Sequence, residues 1–171
     1  LAQRIDTLAV SEPAIPEDEI IHVQNGSGLD PHVWMDAGQW ADTVPVIAAK
    51  LKEMRPACAA AIDADAASYE EQLDALDRWA AEAIATIPEA QRVLVTAHDA
   101  FNYFGRAYGI EVAGIQGISP ESEAGVADIR HVAEMVAERG VPAIFVESTI
   151  NPRTIQAVVD AASRQGHAIE I

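Results

Sequence analysis

The chain has 171 residues, half of them hydrophobic, and a formal net charge of −16. This apolar content is enough for a folded core and argues against disorder. The acidic balance suits cations and excludes a nucleic-acid partner, because contacts to phosphate need clustered Lys and Arg. A single cysteine, Cys58, excludes an internal disulfide and a cysteine-based zinc cluster, and its alanine-rich context predicts a small buried side chain. No apolar run approaches the roughly 18 to 20 residues needed to cross a membrane.

The chain opens with a region of loops. Residues 1–30 contain prolines and a turn-forming Asn-Gly-Ser-Gly run, so we expect irregular structure there. Asp30 precedes Pro31 and is therefore pushed away from helical geometry. The sequence thus predicts a stiff loop that carries His32.

Two helices are predicted next. Asp36 can cap the first, and its apolar residues recur in steps of three and four: Trp40, Val44, Ile47, Leu51 and Met54. Pro45 lies inside this pattern and predicts a kink or a later helix start. A second amphipathic helix is expected over 66–87, with a length of about 30 Å. Its pattern alone favours an ordinary packed helix over a connection between two lobes.

From residue 92 onward, strand and helix patterns alternate. Short apolar runs predict four strands, the last one cut off at its end: 92–97, 111–115, 143–147 and 168–171. Periodic apolar positions predict three helices between them: 99–108, 122–139 and 152–164. This order indicates right-handed βαβ units and a parallel sheet, which is the α/β class.

Polar side chains follow three of these strands. His98 and Asp99 follow the first strand, Gln116 ends the second, and Glu147 ends the third. Ligands of open α/β sheets bind beyond the carboxyl ends of the strands. We therefore expect these residues to line one edge of the sheet and to form a binding site.

The residue types leave several roles open. Neutral imidazole is the commonest metal ligand, so His98 is a candidate, although a hydrogen-bonded histidine at a strand end fits equally well. His32 on its stiff loop suits a fixed ligand, yet a lone loop histidine is more often an ordinary surface residue. Glu147 fits a ligand, an acceptor behind a ligand or a helix cap. His131 and His167 are interpreted as surface residues.

Four segments follow one another in a specific order: 30–36 (DPHVWMD), 98–104 (HDAFNYF), 116–124 (QGISPESEA) and 145–149 (FVEST). Together they resemble the signature segments of the zinc/manganese-binding solute-binding proteins of ABC transporters. The resemblance covers nearly the whole chain beyond its opening residues.

The resemblance implies a two-lobe α/β metal-binding fold, in which a long rigid helix joins the lobes and the metal lies between them. On this basis residues 1–60 are a remnant of the N-terminal lobe and residues 61–90 are the linking helix. Residues 91–171 are then a complete or near-complete C-terminal lobe with a parallel sheet, truncated at its end. The linking helix replaces the interpretation of an ordinary packed helix.

The resemblance also implies a ligand set. His32 and His98 match metal ligands of the family, while Glu147 and Asp99 are expected to support a ligand or to bind the metal themselves. An earlier histidine and a final carboxylate of the family have no counterpart, so we expect a fragment with half of the usual ligands. Histidine rather than glutamate at position 98 favours Zn²⁺ over Mn²⁺ as the transported ion.

The implied function is capture of Zn²⁺ or Mn²⁺ for delivery to the membrane permease of an ABC transporter. The protein is expected to be a monomer, periplasmic or lipid-anchored outside the cytoplasmic membrane, and not an enzyme. No nucleophile elbow, Walker loop or dinucleotide fingerprint occurs, so no catalytic residue is assigned. One alternative is a metal-dependent hydrolase that uses His32, His98, Asp99 and Glu147 around an activated water. Another is a surface adhesin or scaffold with a structural metal.

Overall fold

The computed structural model describes residues 7–23, 28–118, 124–148 and 151–171, with helices in the first part of the chain and parallel strands in the second. The chain divides into two compact units, Leu1–Ala81 and Glu82–Ile171. The three-part division at residues 60 and 90 stays a prediction.

The first unit contains α1 (Ser11–Ala14), α2 (Ala37–Met54) and most of α3 (Ala59–Ala85). Asp36 caps α2 as predicted, because its carboxylate accepts a hydrogen bond from the backbone N–H of Gln39 at 3.0 Å. This bond satisfies one of the donors that the first turn of a helix leaves unpaired.

The contact between α2 and α3 includes a polar bond between two aromatic residues. The indole N–H of Trp40 donates to the hydroxyl of Tyr69 at 3.2 Å. Pro45 lies inside α2, so the helix begins well before the proline and not at it. Proline lacks an N–H, and one carbonyl of the preceding turn therefore loses its usual helical donor.

α3 begins seven residues earlier than the predicted start at residue 66 and ends close to the predicted end at 87. A short 3₁₀ turn, Pro56–Cys58, leads directly into it. At 27 residues, α3 is about 40 Å long.

Cys58 is exposed, so the prediction of a buried side chain was wrong. The residue lies in the turn before the helix and not on a helix face that packs.

The sheet of the second unit is formed by β1 (Val93–His98) and β2 (Glu111–Gln116), which run parallel with the first and last residues of the two strands opposite each other. The crossover between them carries α4 (Asn102–Tyr108). Gly109 ends this helix with φ of 68°, a left-handed conformation that glycine adopts without strain. The βαβ unit predicted from the alternating pattern is therefore present.

Two further helices of this unit are α5 (Val126–Arg139) and α6 (Pro152–Arg164). Their buried faces join the sheet in one apolar core: Val95, Ala97, Ile115, Val132, Ala133, Val136, Val141, Ile144, Ile155, Val158 and Ala162. The bounds of α6 are those predicted. α4 begins three residues later than predicted and α5 begins at residue 126, while the residues 122 and 123 of its predicted first turn lie outside the described part.

The predicted strands at 143–147 and 168–171 do not form regular strands. Phe145 makes a single parallel bridge to Thr96, and Ala143 makes one to Glu170. The prediction had the direction right and the extent wrong. The N–H of Ile144 donates to Glu170 and that of Phe145 donates to Val95, so the segment lies between two neighbours. It makes a single bridge to each of them, and one bridge does not form a ladder.

Two contacts fix the ends of β1. At its start, the Arg92 guanidinium donates to the carbonyl oxygens of Ile87 at 2.9 Å and Ala85 at 3.4 Å, where α3 ends. At its far end, the chain passes so close to β2 that a Cβ on Gly114 would lie 2.6 Å from the Cα and N of Asp99. Only glycine allows this approach without a backbone shift.

Among the described helices, none is both long and apolar enough to span a membrane.

Candidate metal-ligating histidines

His98 contacts the carboxylate of Glu147, a residue from another part of the chain. The histidine ends β1 and is 8% exposed. Its ring Nδ1 lies 2.6 Å from Oε2 of Glu147, and its backbone N–H donates to Oε1 of the same side chain at 3.1 Å. One carboxylate thus contacts both the ring and the main chain of the histidine. We call this pair of contacts a carboxylate grip.

The hydrogen bonds of the sheet bring this pair together. The N–H of Phe145 donates to the carbonyl oxygen of Val95 at 3.0 Å, which sets Glu147 beside the end of β1. Gln116 is the partner of His98 across the sheet and is itself buried. The predicted meeting of the three strand ends at one edge is therefore confirmed.

Glu147 also borders an apolar cavity of about 510 Å³ within the second unit. Most of its walls are aromatic or aliphatic side chains, among them Phe101, Phe104, Ile110, Phe145 and Val146. The carboxylate of Glu147 therefore lies between the buried ring of His98 and a largely apolar surface.

His32 is held in the same way in the first unit. Its ring Nδ1 lies 2.7 Å from Oδ1 of Asp30, and its backbone N–H donates to the same oxygen at 2.9 Å. Asp30 is 1% exposed and His32 is 7% exposed. The ring edge also packs against Trp34, with centroids 5.3 Å apart. We call Asp30–His32 the first grip and His98–Glu147 the second grip.

Both grips suit metal ligation through the other ring nitrogen. A carboxylate at Nδ1 stabilises the tautomer with its proton on that nitrogen, which makes Nε2 the electron-pair donor. Metal-ligating histidines in proteins commonly make this contact, because it fixes the ring and raises its basicity. The donor chemistry of His32 and His98 therefore fits a divalent transition metal.

The other predicted site residue, Asp99, follows His98 directly and is half-buried. Its backbone N–H donates to the carbonyl oxygen of Gln116 at 3.1 Å, which ties the end of one strand to the other. A role for its carboxylate in holding metal stays a prediction.

Asp30 was missed as a site residue, since the sequence was interpreted there only as a loop stiffened by Pro31. One signal was available. An aspartate two residues before a histidine can accept that residue's N–H in a local turn, which puts its carboxylate beside the ring.

Three further histidines lie outside the two grips. His22 is exposed and makes an isolated antiparallel bridge to Leu29. His131 is exposed on α5, as predicted. His167 is half-buried and its Nε2 lies 2.7 Å from the carbonyl oxygen of Val141, so its assignment to the surface was wrong. Within the described residues, no three or more His, Cys, Asp or Glu side chains converge as a metal-binding group.

The chain thus combines a helical unit and an α/β unit, each with a buried histidine beside a carboxylate, and this chemistry fits a metal-binding protein of the α/β class. Residues 2–170 match the family described as zinc-uptake complex component A, periplasmic (ZnuA). The chain belongs to this family, and the resemblance stated from its four segments is confirmed. The family binds metal for transport, in agreement with the prediction that the chain is not an enzyme.

Individual relatives agree with this assignment. The manganese-binding lipoprotein MntA of Bacillus subtilis is 40% identical over 171 residues, covering all of this chain and 56% of that protein. The zinc-binding protein TroA of Treponema pallidum is 40% identical over 164 residues, covering 96% of this chain and 53% of that protein. The solved structure of periplasmic TroA superimposes with a TM-score of 0.90 over 96% of this chain and 58% of that one, which confirms the fold class.

A third relative carries a transporter name. The metal ABC transporter substrate-binding lipoprotein FimA of Streptococcus parasanguinis is 33% identical over 156 residues, or 90% of this chain and 49% of that protein. The chain spans about half the length of the curated relatives it matches.

Proposed function

We propose that the chain is part of a protein that captures a divalent transition metal outside the cytoplasmic membrane and delivers it to an ABC transporter permease. In this proposal His32 and His98 each supply one ligand through Nε2. The two carboxylate grips carry the proposal, because each places a carboxylate oxygen within 2.7 Å of Nδ1 of a buried histidine, a contact that favours the tautomer that binds metal. The names of the relatives support the transport role.

The transported ion is proposed to be Zn²⁺ in preference to Mn²⁺. Imidazole nitrogen suits zinc, whereas manganese favours carboxylate and water ligands. Both proposed ligands of this chain are histidines, and the Irving–Williams order favours zinc whenever both metals are present. The names of the relatives include both metals, so the choice rests on the ligand chemistry.

Supporting roles are proposed for two acidic residues. Glu147 holds the ring of His98 and does not bind the ion itself, since both of its carboxylate oxygens already contact that histidine. Asp99, the residue after the end of β1, is proposed to support the ligand from the main-chain side or to contribute an oxygen.

The test is to measure metal content and Zn²⁺ affinity of the complete protein that contains this chain, by elemental analysis and by competition with a chromophoric chelator. His32→Ala and His98→Ala should each lower zinc affinity by about 100-fold, because zinc-binding free energies of about 10–16 kcal/mol are shared among few ligands. Mn²⁺ should compete poorly in the unaltered protein.

The matched control is His131→Ala, which removes an exposed imidazole from α5 and should leave the affinity unchanged. Zinc binding that survives both ligand substitutions would contradict the site assignment. A complete protein that binds neither metal would contradict the proposed function itself.

A further inference from the structure

The carboxylate of Asp30 is buried in the loop ahead of α2. Its side chain has no exposed surface, so its charge must be compensated by hydrogen bonds inside the protein. The His32 contacts provide part of this compensation, at 2.9 Å from the backbone N–H and 2.7 Å from Nδ1. The N–H of Asp30 donates in turn to the carbonyl oxygen of Ile21 at 2.8 Å, which anchors the acidic residue from the other side.

Local turn geometry explains only one of these two contacts. An aspartate readily accepts the N–H of the residue two positions later, and Pro31 offers no N–H that could compete. Such a turn does not require the ring of the second residue to face the carboxylate. The Nδ1 contact of His32 is therefore an additional feature, and the ring could have pointed elsewhere while the turn stayed intact.

The same additional feature recurs where no turn can produce it. Glu147 reaches His98 from 49 residues away, with a longer side chain and from a different element, and again meets both the N–H and Nδ1. Two unrelated backbone arrangements arrive at one pair of contacts. What they share is a buried histidine whose Nδ1 is occupied by a carboxylate.

We infer that Asp30 is a positioning residue for metal capture, which holds the His32 ring in the tautomer and orientation that direct Nε2 at the ion. This inference rests on the proposed function and deepens it. Asp30 does not contact the ion in this account. It acts through His32, by stabilising the proton on Nδ1 and by limiting rotation of the ring.

The test uses the complete protein, labelled with ¹⁵N and freed of metal, and observes the His32 ring by long-range ¹H–¹⁵N correlation. The unaltered protein should show the Nδ1-protonated tautomer. Asp30→Ala should move the ring towards the Nε2-protonated tautomer and lower Zn²⁺ affinity by about 10- to 100-fold. Asp30→Asn keeps the shape but removes the charge, so it should shift the Nδ1 resonance and lower the affinity by a smaller factor.

Two controls make the result specific. Asp42→Ala removes an exposed carboxylate from α2 and should change neither ring nor affinity. Glu147→Gln should shift the His98 ring signals and leave those of His32 in place. Circular dichroism identifies any variant that fails to fold, and Asp30→Asn remains decisive if Asp30→Ala does so.

Folded Asp30 variants whose His32 ring signals and zinc affinity equal those of the unaltered protein would overturn the inference. The ring measurement needs no metal, so it is separate from the test of the proposed function. If His32→Ala weakens zinc binding but neither Asp30 variant changes the ring, capture stands and positioning by Asp30 fails. If the complete protein binds neither Zn²⁺ nor Mn²⁺, the proposed function fails whatever the ring shows.

Discussion

The two grips make the same pair of contacts, but they draw the carboxylate from very different distances along the chain. Asp30 lies two residues from His32, whereas Glu147 lies 49 residues from His98. The first grip therefore needs only a correctly folded loop. The second needs β1, the crossovers and the segment 143–147 to be in place. The same ligand chemistry depends on local structure in one unit and on the whole fold in the other.

The grips also differ in how much water reaches the carboxylate. The side chain of Asp30 has no exposed surface, while that of Glu147 is 23% exposed. A buried charge that loses its partner pays the full cost of desolvation, whereas water can replace part of a lost contact at a more exposed site. We therefore expect charge removal to be more damaging at position 30 than at position 147.

The largest difference in stability between the two grips is expected for the substitution Ile155→Ala in α6. The side chain is 1% exposed within the core of the second unit, so its truncation leaves a cavity and lowers the free energy of unfolding by about 2–5 kcal/mol. The His98 ring signals should be lost at a lower urea concentration than in the unaltered protein, while those of His32 persist. Long-range ¹H–¹⁵N spectra recorded along a urea titration measure both.

Val126→Ala serves as the control, because that side chain of α5 is 83% exposed and its truncation should leave the titration unchanged. Simultaneous loss of both sets of ring signals in Ile155→Ala would show that the units unfold together and that the distinction between local and fold-dependent grips has no consequence for stability.

A smaller effect, confined to the second grip, is expected from Gly114→Ala. The added Cβ would meet the backbone of Asp99 at 2.6 Å, and backbone cannot move aside as a side chain can. We expect a loss of about 1–3 kcal/mol in the free energy of unfolding, together with a shift of the His98 ring signals. Thermal unfolding and the same ring spectra test this.

Gly28→Ala is the matched control, since a Cβ there would meet nothing within 4 Å although the residue lies close to Asp30. Gly114→Ala protein with the stability and His98 signals of the unaltered protein would mean that the close approach to Asp99 does not determine the position of the ligand.

The smallest effect is expected from Glu147→Gln, which keeps the shape of the second grip and removes its charge. Partial exposure of the side chain limits the loss to about 1–2 kcal/mol in the free energy of unfolding, less than Asp30→Asn should cost. Zinc affinity should fall by about 10-fold. Chemical denaturation and chelator competition on both variants give the comparison directly.

Glu138→Gln, a change at an exposed position of α5, controls for the loss of one negative charge from an acidic protein. The expected order is reversed if Glu147→Gln proves the more destabilising substitution, in which case the amount of exposed surface does not decide how much each grip contributes.

The sequence predicted the second grip better than the first. His98 ends an apolar strand and Glu147 ends an apolar run that was predicted as another, and the rule that parallel strands end at one edge was enough to bring them together. Asp30 was missed because its contact with His32 depends on the direction of one side chain inside a loop, which hydrophobic periodicity does not predict. The match to signature segments indicated His32 as a candidate ligand, and only the structure showed the carboxylate beside it.

The predicted helices and strands differ from the structure where the hydrophobic pattern carried too little information. The start of α3 is rich in alanine, and Ile62 is the one large apolar residue before Tyr69, so no repeating apolar pattern marks the first turns and the predicted start came late. The runs at 143–147 and 168–171 are apolar enough for strands, but each bridge that they form stands alone and is not extended into a ladder. Hydrophobic patterning predicts which side of a segment is buried, but it does not predict how many hydrogen bonds the segment makes to neighbouring strands.

Arg92 connects the strand that carries His98 to the end of α3. Its guanidinium donates to the carbonyl oxygens of Ile87 and of Ala85, the last residue of α3, and its own carbonyl oxygen accepts the N–H of Glu111 at 3.0 Å. β1 starts at the next residue and ends at His98. One side chain thus ties the end of a helix to the start of both strands of the sheet. The position of the His98 imidazole therefore depends on hydrogen bonds that reach back to Ala85.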